Sequence, residues 1–172
     1  MMLWLFDGIT MARHTEEENA RDRAAALHPA CELCRSPGGM LVLQRPHWRL
    51  VRVEDQDFPA YYRVIWNAHC AELTDLTPEQ RHECLDAVAE VEAVLRRHLR
   101  PTKINLAAFG NMVPHLHWHI IARHVWDSHF PQPVWGPRQR EVPEGARARL
   151  AATPATLDQA MREAFGPTSE AK

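Results

Sequence analysis

Between Pro114 and Ile121 three histidines alternate with bulky apolar residues, in the order Pro114-His115-Leu116-His117-Trp118-His119-Ile120-Ile121. Near neutral pH an imidazole can act as nucleophile, proton carrier, hydrogen-bond donor or metal ligand. Three of them in alternate positions make a poor hydrophobic core and a good phosphate or metal site. A second chemical feature is Cys31-Glu32-Leu33-Cys34, spaced like a metal clip or a redox pair. Three readings of the histidines stand open on residue type alone: a structural role, a metal site built from all three, and chemistry on a phosphate.

Strict alternation predicts that residues 114–121 form a β-strand with one face buried. At ~3.3 Å per residue, His115, His117 and His119 then share a face at intervals of roughly 7 Å, with Leu116, Trp118 and Ile120 on the other. The neighbouring strands are expected at Met40–Leu43, Trp48–Val53, Tyr61–Trp66 and Ile104–Phe109, the last joined to the histidine strand by a short loop at Gly110-Asn111. Thr77-Pro78-Glu79-Gln80 is a helix start: Thr77 suits the N-cap, Pro78 the first turn and Gln80 the capping-box position. The stripe Leu85, Val88, Val91, Leu95 and Leu99 carries that helix to about residue 100, where Pro101 stops it. Residues 144–165, rich in Ala, Arg and Glu, predict a C-terminal helix. Strands in succession, one long helix, then strands again predict an α+β fold with an antiparallel sheet.

The chain of 172 residues suits one domain with a real core. Residues 1–28 read as a leader, helical or flexible, with Met11 as an alternative start; 29–137 form the domain and 138–172 a C-terminal extension and tail. Twenty basic against 22 acidic residues leave a net charge of −2, which predicts no nucleic-acid partner. The apolar start Met1–Phe6 is too short for a signal peptide or a membrane span, so the expected setting is the cytoplasm, with no membrane partner. Cys70 and Cys84 read as small apolar residues.

His115-Leu116-His117-Trp118-His119-Ile120-Ile121 resembles the signature of the histidine-triad (HIT) family. Supporting pieces stand in family order: Phe58 to His69 resembles an earlier strand ending in a histidine, Leu73 to Pro78 the start of the central helix, and Gly110-Asn111 stands where the family commonly has Gly-Gln. The resemblance spans about residues 31–137. It implies a five-stranded antiparallel sheet with a central helix, two copies joined at a sheet edge in a homodimer, and hydrolysis or transfer of nucleoside phosphates such as diadenosine polyphosphates or adenosine phosphoramidates.

The same resemblance implies roles. His117 would attack the α-phosphorus to form a nucleotidyl-histidine, and His119 would bind or protonate phosphate oxygens. Asn105 and Asn111 would donate amide N–H groups, Asn111 with a shorter reach than Gln. Leu50, Val64 and Ile65 would wall the base pocket, with Asp55 on the ribose. In one branch of the family a Cys-x-x-Cys joins two histidines around structural zinc, which implies Cys31, Cys34, His69 and His115 here; reduced, inert thiols are the alternative. Phe130 and Trp135 are expected either to cover the site or to pack on the sheet, Arg138-Gln139-Arg140 to form a solvated turn or meet a polyphosphate, and His47 to lie at the surface. Two rival functions remain at this level: a nucleotide sensor with little turnover, and a zinc-dependent hydrolase using the strand histidines as ligands.

Overall fold

Five short segments form the sheet, the central ones rich in β-branched and aromatic residues: β1 (Met40–Gln44), β2 (Trp48–Arg52), β3 (Tyr61–Trp66), β4 (Lys103–Ala107) and β5 (His117–Arg123). The computed structural model describes residues 28–166; the expected leader, apart from His28, and the end of the tail lie outside the described residues. The strands are ordered β1-β2-β3-β5-β4 and every pair is antiparallel. In that register Ile65 lies opposite His117 and Arg63 opposite His119. The expected α+β architecture is therefore what forms. The histidine strand begins at His117 rather than Pro114, although Leu116 still bonds through its N–H to Cys70 O at 2.7 Å and accepts from Trp66 N at 3.1 Å.

The long helix starts as its capping residues dictate. In α2 (Pro78–Leu99), Thr77 Oγ1 accepts from Gln80 N at 3.3 Å and Gln80 Oε1 accepts from Thr77 N at 3.0 Å. Arg100 closes the helix in a left-handed conformation before Pro101. Its buried face is Cys84, Ala87, Val88, Val91, Val94, Leu95 and Leu99; Leu85, expected in the stripe, is 41% exposed and Cys84 packs inward instead. Fully buried residues such as Val91 and Leu95 each contribute about 1.5–3 kcal/mol. They meet Leu50, Tyr62, Val64 and Ile120 from one face of the sheet.

The C-terminal stretch is not one helix. A 3₁₀ turn at Ala146–Arg149 is followed by a break, and α3 (Pro154–Ala164) starts on an N-cap at Thr153. The reason is Pro154, which lacks a backbone N–H and is accommodated only in a first turn. Leu157, Ala160 and Met161 of α3 join the same core as α2. Beneath them Asp158 accepts from Arg52 Nε at 3.1 and 3.2 Å and from Tyr62 OH at 2.8 Å, all three residues being buried. Both helices thus cover one face, and the other is left for chemistry. Among the described residues no helix is long and apolar enough to cross a membrane.

Candidate active site and metal centre

The short α1 (Glu32–Arg35) carries the two cysteines to the open face of the sheet. Arg49, buried on β2, holds that segment through Nη2 to Leu33 O at 2.6 Å and Nε to Pro37 O at 3.0 Å. Gly38 completes the turn at φ +81°, a conformation side chains rarely adopt, and a Cβ there would push on the tips of Leu33 and Ile65, at 2.6 and 2.8 Å. Cys31 Sγ then stands 3.4 Å from His115 Nδ1, and Cys34 Sγ stands 3.4 Å from His69 Nδ1 and 3.5 Å from His115 Nδ1. The four ligand atoms lie within 4.8 Å of one another. His115 donates from Nε2 to Trp66 O at 2.6 Å, which leaves Nδ1 as the nitrogen facing the sulfurs. A ligating imidazole is commonly fixed in this way by a carbonyl behind it. The donor set, two sulfurs and two imidazole nitrogens, is of the kind tetrahedral zinc prefers.

Two residues further on, the arrangement changes. His117 donates from Nδ1 to His115 O at 2.6 Å, so Nε2 of the neutral ring keeps its lone pair. Burial, opposed by that carbonyl, lowers the His117 pKa below the usual histidine value. His119 is hydrogen-bonded through Nδ1 to the hydroxyl of Tyr61, its neighbour on β3. Burial pushes the Tyr61 phenol up, keeping its proton, while burial together with His117 and Arg63 pulls His119 down to about 3. Arg63 Nη2 donates to Tyr61 Oη at 3.5 Å, an arrangement that favours the phenol's own proton pointing at His119 Nδ1 and the His119 proton on Nε2. The two rings, 4.8 Å apart, thus differ at Nε2: one offers a lone pair and the other a proton.

Both line a cavity of about 540 Å³ with Glu32, Leu33, Arg63, Phe109, Asn111, Met112 and Trp135 among its walls. Trp135 stands edge-on to His119 at 5.4 Å and to Phe109 at 4.6 Å. The proline-rich segment that carries Trp135 is irregular but tightly held. Asp127, buried, accepts from Arg123 Nε at 2.8 Å and Nη2 at 3.0 Å, and from the backbone N–H groups of His124, His129 and Phe130 at 2.7–3.1 Å. Burial alone would raise this carboxyl; the guanidinium and the backbone donors outweigh it and hold it below its ordinary value.

Of the expected site residues, His117, His119 and Asn111 line the cavity, and Cys31, Cys34, His69 and His115 are brought together beside it. Leu50 and Val64 are not pocket walls: they pair across β2 and β3 with side chains in the core against α2. Ile65 does face the site side but is fully buried with Cys31, Leu33 and Val51, beneath α1. Asn105 is engaged elsewhere, its Oδ1 accepting from Arg123 Nη1 at 2.6 Å. Asp55 caps its own turn, accepting from the N–H groups of Asp57 and Phe58 at 2.8 and 3.0 Å. Trp135 lines the cavity and Phe130 does not. Arg138 pairs with Asp57 at 2.9 Å, Arg140 bonds to Val125 O and Asp127 O, and His47 pairs with Glu83 at 2.7 Å. The three triad histidines do not converge on one ion: among the described residues, the metal-capable cluster takes only His115 of the three. Tyr61, Arg63 and Phe109 are site residues that sequence reasoning passed over. The parity of Tyr61, Arg63 and Ile65 on a strand next to the histidines was the available signal.

Comparison with known proteins is consistent with this geometry. A family model described as HIT domain matches residues 37–125. A histidine triad protein from Bradyrhizobium japonicum superposes with a TM-score of 0.61 at 25% identity, covering 76% of this chain and 92% of its own. One from Sinorhizobium meliloti does so with a TM-score of 0.57 at 26% identity, covering 73% and 88%. A Zn-bound histidine triad family protein from Mycobacterium smegmatis shares the fold at a TM-score of 0.52 and 16% identity, covering 79% and 93%. Comparison with the curated proteins returns no match. With the family model covering more than half of the 172 residues, and with the triad, the sheet order and the site face arranged as described, the chain belongs to the HIT domain family.

Proposed function

We propose that the protein is a nucleotide hydrolase that cleaves at the α-phosphate of a nucleoside polyphosphate, such as a diadenosine polyphosphate, or of a nucleoside phosphoramidate. The observation that carries this reading is the bond from His117 Nδ1 to His115 O, which leaves an unprotonated Nε2 on a ring lining the cavity. His117 Nε2 attacks the α-phosphorus; an N–P bond forms as the bond to the leaving group breaks, and the leaving group takes that electron pair. His119 donates from Nε2 to a non-bridging oxygen, and the negative charge of the bound phosphate raises its affinity for a proton. Asn111 supplies an amide donor from the rim. Water then attacks the same phosphorus and releases a proton to solvent; the N–P bond breaks, the nucleoside monophosphate departs and His117 is restored. The nucleoside rests against Leu33, Met112 and Val113, the apolar walls near α1.

Cys31, Cys34, His69 and His115 hold a structural zinc in this reading, supported by their donor set and by the zinc-bound relative. Held by these four residues, zinc would tie α1 to the segments that follow β3 and precede β5; the reaction steps belong to His117 and His119. Two copies join at a sheet edge in this reading, and the β4 edge offers Leu106 on β4 and Leu85 on α2, each more than 40% exposed.

The test is to incubate the protein with an adenosine phosphoramidate and, separately, with diadenosine polyphosphates, quench, and look by mass spectrometry for acid-labile adenylate on His117. Turnover with such an adduct, both absent in His117→Ala, is the expected result. Tight binding without adduct or turnover in the wild type would identify a sensor instead.

A further inference from the structure

The mechanism above leaves one side chain of the site unused. The run Tyr61-Tyr62-Arg63-Val64-Ile65-Trp66 contains a single cation, and strand pairing sets it opposite His119. The other sheet arginines beside it are saturated: Arg52 pairs with Asp158, Arg123 with Asp127, and buried Arg49 donates to the carbonyls of Leu33, Ser36 and Pro37. Among the described residues no carboxylate forms an ion pair with Arg63. Its guanidinium is held loosely: Nη1 donates to Gly38 O at 3.3 Å, Nη2 to Tyr61 Oη at 3.5 Å, and buried Nε has no hydrogen-bond partner. The guanidinium carbon lies 5.5 Å from the centroid of the Tyr61 ring.

The surroundings make this an incomplete site rather than a structural cation. Among the described residues lining the cavity, the charged side chains are Glu32 and Arg63, so Arg63 is its one permanent positive charge. A planar guanidinium with five N–H donors, two of them on long bonds and three without a partner among the described residues, is suited to charge-assisted and bidentate contact with an anion. The ring beside it is the one that offers Nε2–H to a phosphate oxygen.

We propose that Arg63 is the anion-recognition residue of this cavity, its guanidinium contacting a phosphate of the ligand and thereby selecting nucleotides over neutral nucleosides. The proposal rests on reading the cavity as a nucleotide site, and it is independent of turnover. In binding, Arg63 keeps its bond to Tyr61 Oη and turns its unpartnered N–H groups to phosphate oxygens.

The experiment uses the full chain and two probes, AMP and adenosine, with affinities measured by titration calorimetry. The wild type binds AMP more tightly than adenosine. Arg63→Met weakens AMP by roughly tenfold or more and leaves adenosine unchanged, and Arg63→Lys recovers part of the loss. Equal affinity of the wild type for the two probes, unaltered AMP binding by Arg63→Met, or equal loss of both probes overturns the proposal. Should Arg63→Met fail to fold, wild-type protein treated with phenylglyoxal decides: AMP, and not adenosine, slows modification of the Arg63 peptide, and an unchanged rate overturns it. The two readings fail separately. A His117 adduct with AMP binding indifferent to Arg63 sinks this proposal alone; Arg63-dependent AMP binding without any adduct sinks the hydrolase reading alone.

Discussion

The hydroxyl of Tyr61 and Nδ1 of His119 are hydrogen-bonded across the β3–β5 pair, a bond that holds the His119 ring at the cavity. Tyr61→Phe keeps the ring and removes that bond together with the long one from Arg63 Nη2. The expected outcome is a fall in kcat of roughly tenfold, the equivalent of about 1.4 kcal/mol, with AMP affinity nearly unchanged. Steady-state kinetics beside calorimetry measure both; an unchanged kcat would remove Tyr61 from the mechanism.

His119 also makes stability depend on pH. Its imidazole titrates at about 3 in the folded chain, because burial, His117 and Arg63 disfavour the charged form, against an ordinary 6.5 when unfolded. Between those values the unfolded state binds the additional proton, so its contribution is fully favourable above pH 6.5 and declines as pH falls toward 3. His119→Gln, which has no such titration, shows a shallower loss of stability from pH 7 to pH 5 in urea unfolding. Parallel slopes for the two proteins would contradict the assignment.

Read as a zinc site, the Cys31, Cys34, His69 and His115 cluster predicts one zinc per chain by elemental analysis. Cys34→Ser loses it and lowers Tm by roughly 10 °C, on the scale of a few kcal/mol for a chain of this size. Cys70→Ser, outside the cluster, keeps its zinc. Turnover falls in Cys34→Ser as well, since the carbonyl that holds His117 belongs to His115.

Two buried ion pairs of similar burial have different uses, and paired variants separate them. Asp127→Ala strands Arg123 and frees the segment carrying Trp135; Asp158→Ala strands Arg52 and loosens α3. Each costs about 3–5 kcal/mol of stability. KM rises only for Asp127→Ala, because only that carboxylate organises a wall of the cavity. Equal KM values would mean that Trp135 does not meet substrate.

The sheet was legible wherever a strand carried its own alternation, as at β5, and α2 was legible from its capping box. What a single strand cannot reveal is which of its two faces joins the site, because that depends on register with its neighbours. Leu50 and Val64 were placed on the wrong side for this reason, while Tyr61 and Arg63, one step out of phase with them, went unnoticed. Asn105 had the right face and the wrong partner, since Arg123, 18 residues away, reaches it first. Asp127 was invisible for a different reason: three of the donors it gathers are backbone N–H groups, which every residue but proline possesses. The metal cluster came through resemblance; spacing alone allowed a redox pair.

His115 is spoken for on three sides, by the sulfurs at Nδ1, by Trp66 O at Nε2 and by His117 at its own carbonyl. A replacement side chain must therefore satisfy two tenants at once while leaving the backbone between them unmoved. Position 115 thus couples three things that the cysteines do not: a change there reaches the Trp66 carbonyl and the seat of His117 together with the sulfurs, whereas a change at Cys31 or Cys34 leaves the imidazole as a buried hydrogen-bonding post.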